Sequence, residues 1–225
     1  MKEQKEIKKE SLENRTKEED KDSYQEVGVK WLFIILAFLV TSLIIVGWIL
    51  SESKKSDYIG LTFKKENFGE IPIYTTSLTG YGVNGKPIDF KLILRNNPKE
   101  SKIPVIGEVD FVIGKPIYLS LNMEGELYKC GSTPLVAFGQ FMDAMGFNIQ
   151  TGISTEDKAN EFQREYITCL NTPDATVLYL TEGNESKIER VDDKCYVLSV
   201  NNCELTEVLE RFEIATLSTL TGKSL

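Results

Sequence analysis

Apolar residues are distributed along this chain in three regimes. Residues 1–30 are almost wholly polar, with Ile7, Leu12, Val27 and Val29 as their only aliphatic side chains. Residues 31–50, WLFIILAFLVTSLIIVGWIL, are an apolar run without a charge, broken only by the hydroxyls of Thr41 and Ser42. From residue 51 onward the apolar positions recur at short periods of two, then of three and four. The first regime cannot bury a core and predicts a disordered, solvated tail. At ~1.5 Å per residue the second crosses a ~30 Å hydrocarbon layer as one helix. Its two hydroxyls can bond back to the helix's own carbonyls. Trp31 and Trp48, the only tryptophans, sit near its ends, where indole favours the membrane interface. A cleaved signal peptide would have a shorter apolar core, ~7–15 residues, and a small-residue cleavage site. Trp48-Ile49-Leu50 does not suit one, so the run reads as an uncleaved signal anchor in a single-pass membrane protein.

The third regime begins with a polar linker at 51–57. Residues 71–78 and 87–96 then read as strands; Ile88, Phe90, Leu92 and Leu94 share one face and Asp89, Lys91 and Arg95 the other. Asn84-Gly85 between them predicts a type I′ hairpin turn. The neighbouring Gly80 and Gly82 do not read as a phosphate cradle, because no helix follows. Residues 105–113 and 116–121 complete an expected antiparallel β-rich region over 58–128. The period then changes. Residues 134–145 read as a helix with Leu135, Phe138, Met142 and Met145 on one stripe, a cap from Ser132 or Thr133, Pro134 in the first turn and Gly146 just past the end. A strand over 147–153 follows. Ser154 or Thr155 opens a second helix whose Ala159, Phe162 and Tyr166 share a face. TVLYLT at 176–181 reads as a strand covered on both faces, followed by strands at 187–191 and 195–200. Leu205, Val208, Leu209, Phe212 and Ala215 mark a closing helix. The fold class is α+β: one N-terminal transmembrane helix, an antiparallel β region, and a mixed α/β sheet unit over 129–225 packed with it as one exterior domain.

Orientation rests more on cysteine than on charge. Residues 1–30 hold eight Lys and Arg against nine Asp and Glu, but Lys54, Lys55, Lys64 and Lys65 lie on the opposite flank, so the positive-inside rule discriminates weakly. All four cysteines, Cys130, Cys169, Cys195 and Cys203, follow the apolar run. An even number confined to one side suits an oxidising compartment, which puts the N-terminus in the cytoplasm and residues 51–225 outside. Four cysteines permit three pairings, and four free thiols in a reducing compartment is the competing reading. If the strands near 116–122, 147–153, 176–181 and 195–200 run parallel, Cys169 and Cys195 share the entry edge of the sheet and Cys130 and Cys203 the exit edge. Bonding requires Cα atoms within ~7 Å, so the expected bonds are Cys169–Cys195 and Cys130–Cys203.

The chemistry the sequence excludes is as informative. It contains no histidine, which removes Ser-His-Asp and Cys-His catalysis and imidazole metal sites. It contains no C-x-x-C. The acidic pairs Glu108/Asp110, Glu124/Glu126 and Asp192/Asp193 lack the spacing of a calcium loop and read as solvated turns. Ser51-Glu52-Ser53-Lys54 has the spacing of a Ser–Lys dyad but lies in a polar linker with nothing to desolvate the lysine. Residues 51–225 carry 18 Lys and Arg against 25 Asp and Glu, and no basic stripe suits a nucleic acid. No metal and no cofactor is implied. The expected partners are the lipid bilayer and an unidentified protein or envelope component.

Two resemblances bear on function. Cys130-Gly-Ser-Thr-Pro134, a cysteine just before a helix start, resembles the monothiol active-site turn of thioredoxin-like proteins, and Thr172-Pro173 before TVLYLT is similar to that family's cis-proline. The resemblance covers residues 117–220 and implies a membrane-tethered thiol–disulfide protein with Cys130 as its reactive thiol. The missing C-x-x-C and the extra cysteines depart from that pattern, and a Cys130–Cys203 bond would remove the nucleophile. FKLILRNNPKESKIPVIGEV at 90–109 and CYVLSVNNCELTEVLERF at 195–212 resemble an uncharacterised group of archaeal single-pass membrane proteins. That resemblance implies an archaeal envelope setting and no activity. Asn184-Glu-Ser186 is then an N-glycan acceptor sequon; Asn14-Arg-Thr16 is another, on the cytoplasmic side. The leading expectation is a non-catalytic, membrane-anchored extracytoplasmic binding or envelope-structural domain.

Overall fold

The computed structural model describes residues 31–48, 55–82, 84–111, 115–124, 127–172 and 174–225. The expected tail, the Ser51–Lys54 motif, Glu126, Pro173 and the Asn14 sequon lie outside the described residues. Helix α1, Trp31–Trp48, is long and apolar enough to cross a membrane, and all its described side chains are exposed. Thr41 Oγ1 donates to the carbonyls of Ala37 and Phe38, both at 2.9 Å, so the helix's own backbone takes up its hydroxyl.

Lys54–Leu225 is a separate compact unit. Its first sheet is antiparallel, in the order β1 (Lys55–Tyr58), β2 (Leu61–Phe68), β3 (Ile71–Tyr81), β4 (Pro87–Leu94). Phe63, Leu92 and Leu94 turn inward and are buried. Strand β1 replaces part of the linker expected at 51–57, and β2 was not expected. Polar Thr62, Lys64, Glu66 and Asn67 hide its alternation, leaving Phe63 as its one buried residue. The turn after β3 also differs from the type I′ expectation. The Gly85 amide donates to Gly82 O at 2.7 Å, so Gly85, with φ +72°, closes the turn and does not stand at its centre. Asn84 Oδ1 accepts from the Lys86 amide at 3.0 Å and draws the turn forward by one residue. Gly80 answers to packing: a Cβ there would lie 2.0 Å from Ala144 O.

The second sheet has the order β5-β9-β10-β8-β6-β7, with β5 at Val105–Ile106, β6 at Ile117–Leu121, β7 at Ile149–Ile153, β8 at Thr176–Glu182, β9 at Lys187–Asp192 and β10 at Cys195–Val200. Strands β7, β6, β8 and β10 run parallel, β9 is antiparallel to β10, and β5 is parallel to β9. The expectation that 105–113 and 116–121 would extend the antiparallel region is therefore corrected. Gly107, with φ +88°, ends β5 after two residues. In β6, Ile117, Leu119 and Ser120 are buried on alternate faces, as befits an interior parallel strand.

Helices α2 (Thr133–Ala144) and α4 (Leu205–Thr221) bridge the two sheets, α2 touching β4 and β7 and α4 touching β9 and β10. Phe138, Phe141 and Met142 of α2 and Leu205, Val208, Leu209 and Phe212 of α4 join one core. Phe111, Phe147, Tyr196 and Phe212 meet in edge-to-face or tilted pairs within it, at centroid separations of 5.2–6.0 Å. The buried Tyr196 hydroxyl accepts from the Asp110 amide and donates to Asp110 O, both at 2.9 Å. Gly146, φ +84°, ends α2 as expected, but Ser132 makes no side-chain cap. Helix α3 is only Glu156–Glu161, so the expected face of Ala159, Phe162 and Tyr166 does not form. Gln163 turns the chain at φ +53°, Tyr166 forms a bridge with Ile153, and only Ala159 is buried.

Candidate ligand cleft

The four cysteines are joined as Cys130–Cys203, with Cα atoms 5.2 Å apart, and Cys169–Cys195, at 5.6 Å. The topology explains both. Cys195 begins β10 beside Val177 of the parallel β8, and Cys169 lies in the loop leading into β8, so both occupy the entry edge. Cys130 ends a 3₁₀ turn after β6, and Cys203 lies between β10 and α4, at the exit edge. Each stands three residues before a helical wall residue, Thr133 and Thr206. The bond therefore ties the starts of α2 and α4 together. It also removes the thiol that the thioredoxin-like reading assigns to Cys130.

Beside that tie, an open cleft of about 310 Å³ runs between the antiparallel sheet and the two helices. Phe68, Ile73 and Ile93 line it from the sheet, Pro134 and Ala137 from α2, and Leu209 from α4. Phe68 and Ile93 are largely exposed, so the mouth is apolar. Two glutamates of α4, one turn apart, reach this cleft.

Glu210 is fully engaged. Its carboxylate accepts from the Arg95 amide, from the Asn96 amide at 3.1 Å and from Asn96 Nδ2 at 3.0 Å, fastening the end of β4 to α4. Burial raises its pKa above the usual 4.5, against the downward pull of these hydrogen bonds. Glu213 is 4% exposed and lines the cleft. Among the described residues its carboxyl has no hydrogen-bond or ion-pair partner. Burial drives its pKa well above 4.5, and the negative charge of Glu210 pushes the same way. The neutral acid is therefore favoured well into the range where ordinary glutamates are ionised. Arg95 lines the rim with an exposed side chain and pairs with neither carboxyl.

Sequence reasoning named only the apolar stripe of α4 and missed both glutamates. A signal was present: Leu209, Glu213 and Leu217 are spaced by four and lie in line on one helical stripe, all three buried. The acidic pairs remain apart from this cleft. Glu108 and Asp110 lend backbone carbonyls to the Tyr196 hydroxyl, and Asp193 sits on a turn with Arg190 at 3.4 Å. Among the described residues no group of three acids or cysteines is placed to hold a metal.

The sequon at Asn184 lies between β8 and β9. Asn184 is exposed, but Ser186 is 6% exposed and its Oγ accepts from the Asn201 amide at 2.9 Å. A transferase that reads this hydroxyl must reach it before the turn closes. Comparison with known proteins finds no matching family model, no matching curated protein and no matching solved structure.

Proposed function

We propose that this chain is a single-pass membrane protein whose unit Lys54–Leu225 stands outside the cytoplasm and binds a partner or envelope component there. One observation carries the reading: an uncharged, strongly apolar and fully exposed α1 precedes a unit in which all four cysteines are paired. Disulfides persist in oxidising compartments, and α1 supplies the means of anchoring. The absence of histidine and the bonded state of Cys130 support a binding role over catalysis. The archaeal setting and the glycan at Asn184 belong to the same proposal.

The test is a non-reducing peptide map of the protein extracted from cells whose thiols were alkylated before lysis. Linked Cys130–Cys203 and Cys169–Cys195 peptides are the expected result. Four alkylated thiols would invert the orientation and return the unit to the cytoplasm. An alkylated Cys130 beside a Cys169–Cys195 link would restore the thiol–disulfide reading.

A further inference from the structure

We propose that the cleft between α2, α4 and the antiparallel sheet is a binding site for a small organic cation, an ammonium group carried on a hydrocarbon body, with Glu213 as its counter-ion. This deepens the binding half of the reading above and does not depend on which side of the membrane the unit lies. The argument begins with the cost of Glu213. Its side chain is 4% exposed and among the described residues no protein group bonds its carboxyl, yet the carboxyl oxygens are not sealed off and so meet only what enters the open cleft; partial loss of water without a hydrogen bond costs up to ~1–3 kcal/mol by mutational measures. Native interiors satisfy nearly all such groups. Glu210, three residues earlier on the same helix and only half-buried, has three donors. Glu213 instead faces an open cleft of about 310 Å³, at the lower end of the ~300–1,000 Å³ of small-molecule sites.

The charges that face it decide the ligand's sign. From α4 there is Glu210, an acid. From the sheet, Phe68, Ile73 and Ile93 are apolar, and Arg95 is exposed at the rim. From α2, Thr133, Pro134 and Ala137 contribute no charge. Inside the rim cation Arg95, the cleft therefore presents two acids in an apolar setting, of which Glu213 alone is without a partner, and an ammonium group complements it. An anion would meet the potential of Glu210. A neutral ligand would give the Glu213 carboxyl no charge to pair with. Because burial favours the protonated form of Glu213, a bound ammonium displaces that proton to solvent and pairs with the carboxylate. Binding and proton release are thus linked.

Three probes of one shape separate the possibilities: benzylammonium, benzoate and benzyl alcohol, titrated by calorimetry into the detergent-solubilised full chain in buffers of different ionisation enthalpy. Benzylammonium is expected to bind saturably, more tightly than the other two, with protons released below the pKa of Glu213. Glu213→Gln is expected to weaken it at least ten-fold and abolish the proton release. Should that variant fail to fold, Ala137→Trp, placed on the exposed side of α2 at the cleft mouth, is expected to block binding with the fold intact. Equal or tighter binding of benzoate or benzyl alcohol, no binding of benzylammonium, or a Glu213→Gln variant of unchanged affinity would overturn the proposal. The disulfide map reads topology and these titrations read the cleft, so either can fail without the other.

Discussion

Two clefts of nearly equal size, about 300 and about 310 Å³, share Glu210 as a lining residue, and they are built differently. In the first, the polar groups hold the fold together. Arg211 donates from Nε to Ile103 O and from Nη1 to Tyr58 Oη, both at 3.2 Å, and Asn97 Nδ2 donates to Glu100 at 2.8 Å. In the second, Glu210 is equally committed, but Glu213 beside it has no partner. The contrast separates two uses of an ionisable side chain taken from water. One fastens secondary structure and is satisfied within the chain. The other leaves binding capacity open to something outside it.

The largest expected effect comes from the tie that frames the second cleft. Replacing Cys130 and Cys203 by serine opens a cross-link spanning 73 residues. Loop-closure entropy puts its loss at about 4 kcal/mol. Denaturant unfolding of the purified chain should show it, and benzylammonium affinity should fall as well, because the starts of α2 and α4 are no longer held. A stability loss with affinity intact would mean that the tie matters to the fold and not to the cleft.

Glu210→Ala comes next. It strips acceptors from the Arg95 and Asn96 amides and from Asn96 Nδ2, and hydrogen bonds to a charged group contribute ~1.5–3 kcal/mol each. With partial rescue by water, the expected net loss is about 3 kcal/mol, measured by the same unfolding. A loss under about 1 kcal/mol would erase the distinction between the two glutamates.

What the sequence made legible follows from the range of each signal. Strand direction and chain order are short-range, and they place Cys169 with Cys195 and Cys130 with Cys203. The stripe of Leu205, Val208, Leu209, Phe212 and Ala215 is also local, and it marks α4 correctly. That stripe tells of one buried side. It does not tell that α4 packs against α2 as well as against the second sheet, and that Glu213 and Ser218, off the stripe, are buried too. Strand β2 was missed for a related reason, since an edge-facing run of Lys64, Lys65, Glu66 and Asn67 carries no apolar alternation. The end of α3 depends on Gln163 adopting positive φ, which no residue type there announces. The cleft combines these hidden features: a second layer, an unrecognised strand and a glutamate at the margin of the apolar stripe.

Glu213→Leu should act in the opposite direction from Glu210→Ala. Leucine fills comparable volume and removes a carboxyl with no partner, so the variant should be more stable than the parent by about 1 kcal/mol even well below pH 4.5, where the acid is neutral in both folded and unfolded chains. Above that pH the gain should grow. The unfolded chain ionises Glu213 near 4.5, while the folded chain keeps its proton because burial has raised the pKa. The native state then binds more protons than the unfolded state, and parental stability falls as pH rises through the window between the two values, by at most ~1.4 kcal/mol per pH unit for one proton. Glu210 is raised in the same direction and adds its own slope, so the informative quantity is the difference between parent and variant, taken from denaturant unfolding at pH 4.5, 5.5, 6.5 and 7.5. A difference that widens with pH identifies Glu213 as the bare acid. A flat difference would place a hidden donor or cation beside it, and the two clefts would then be alike.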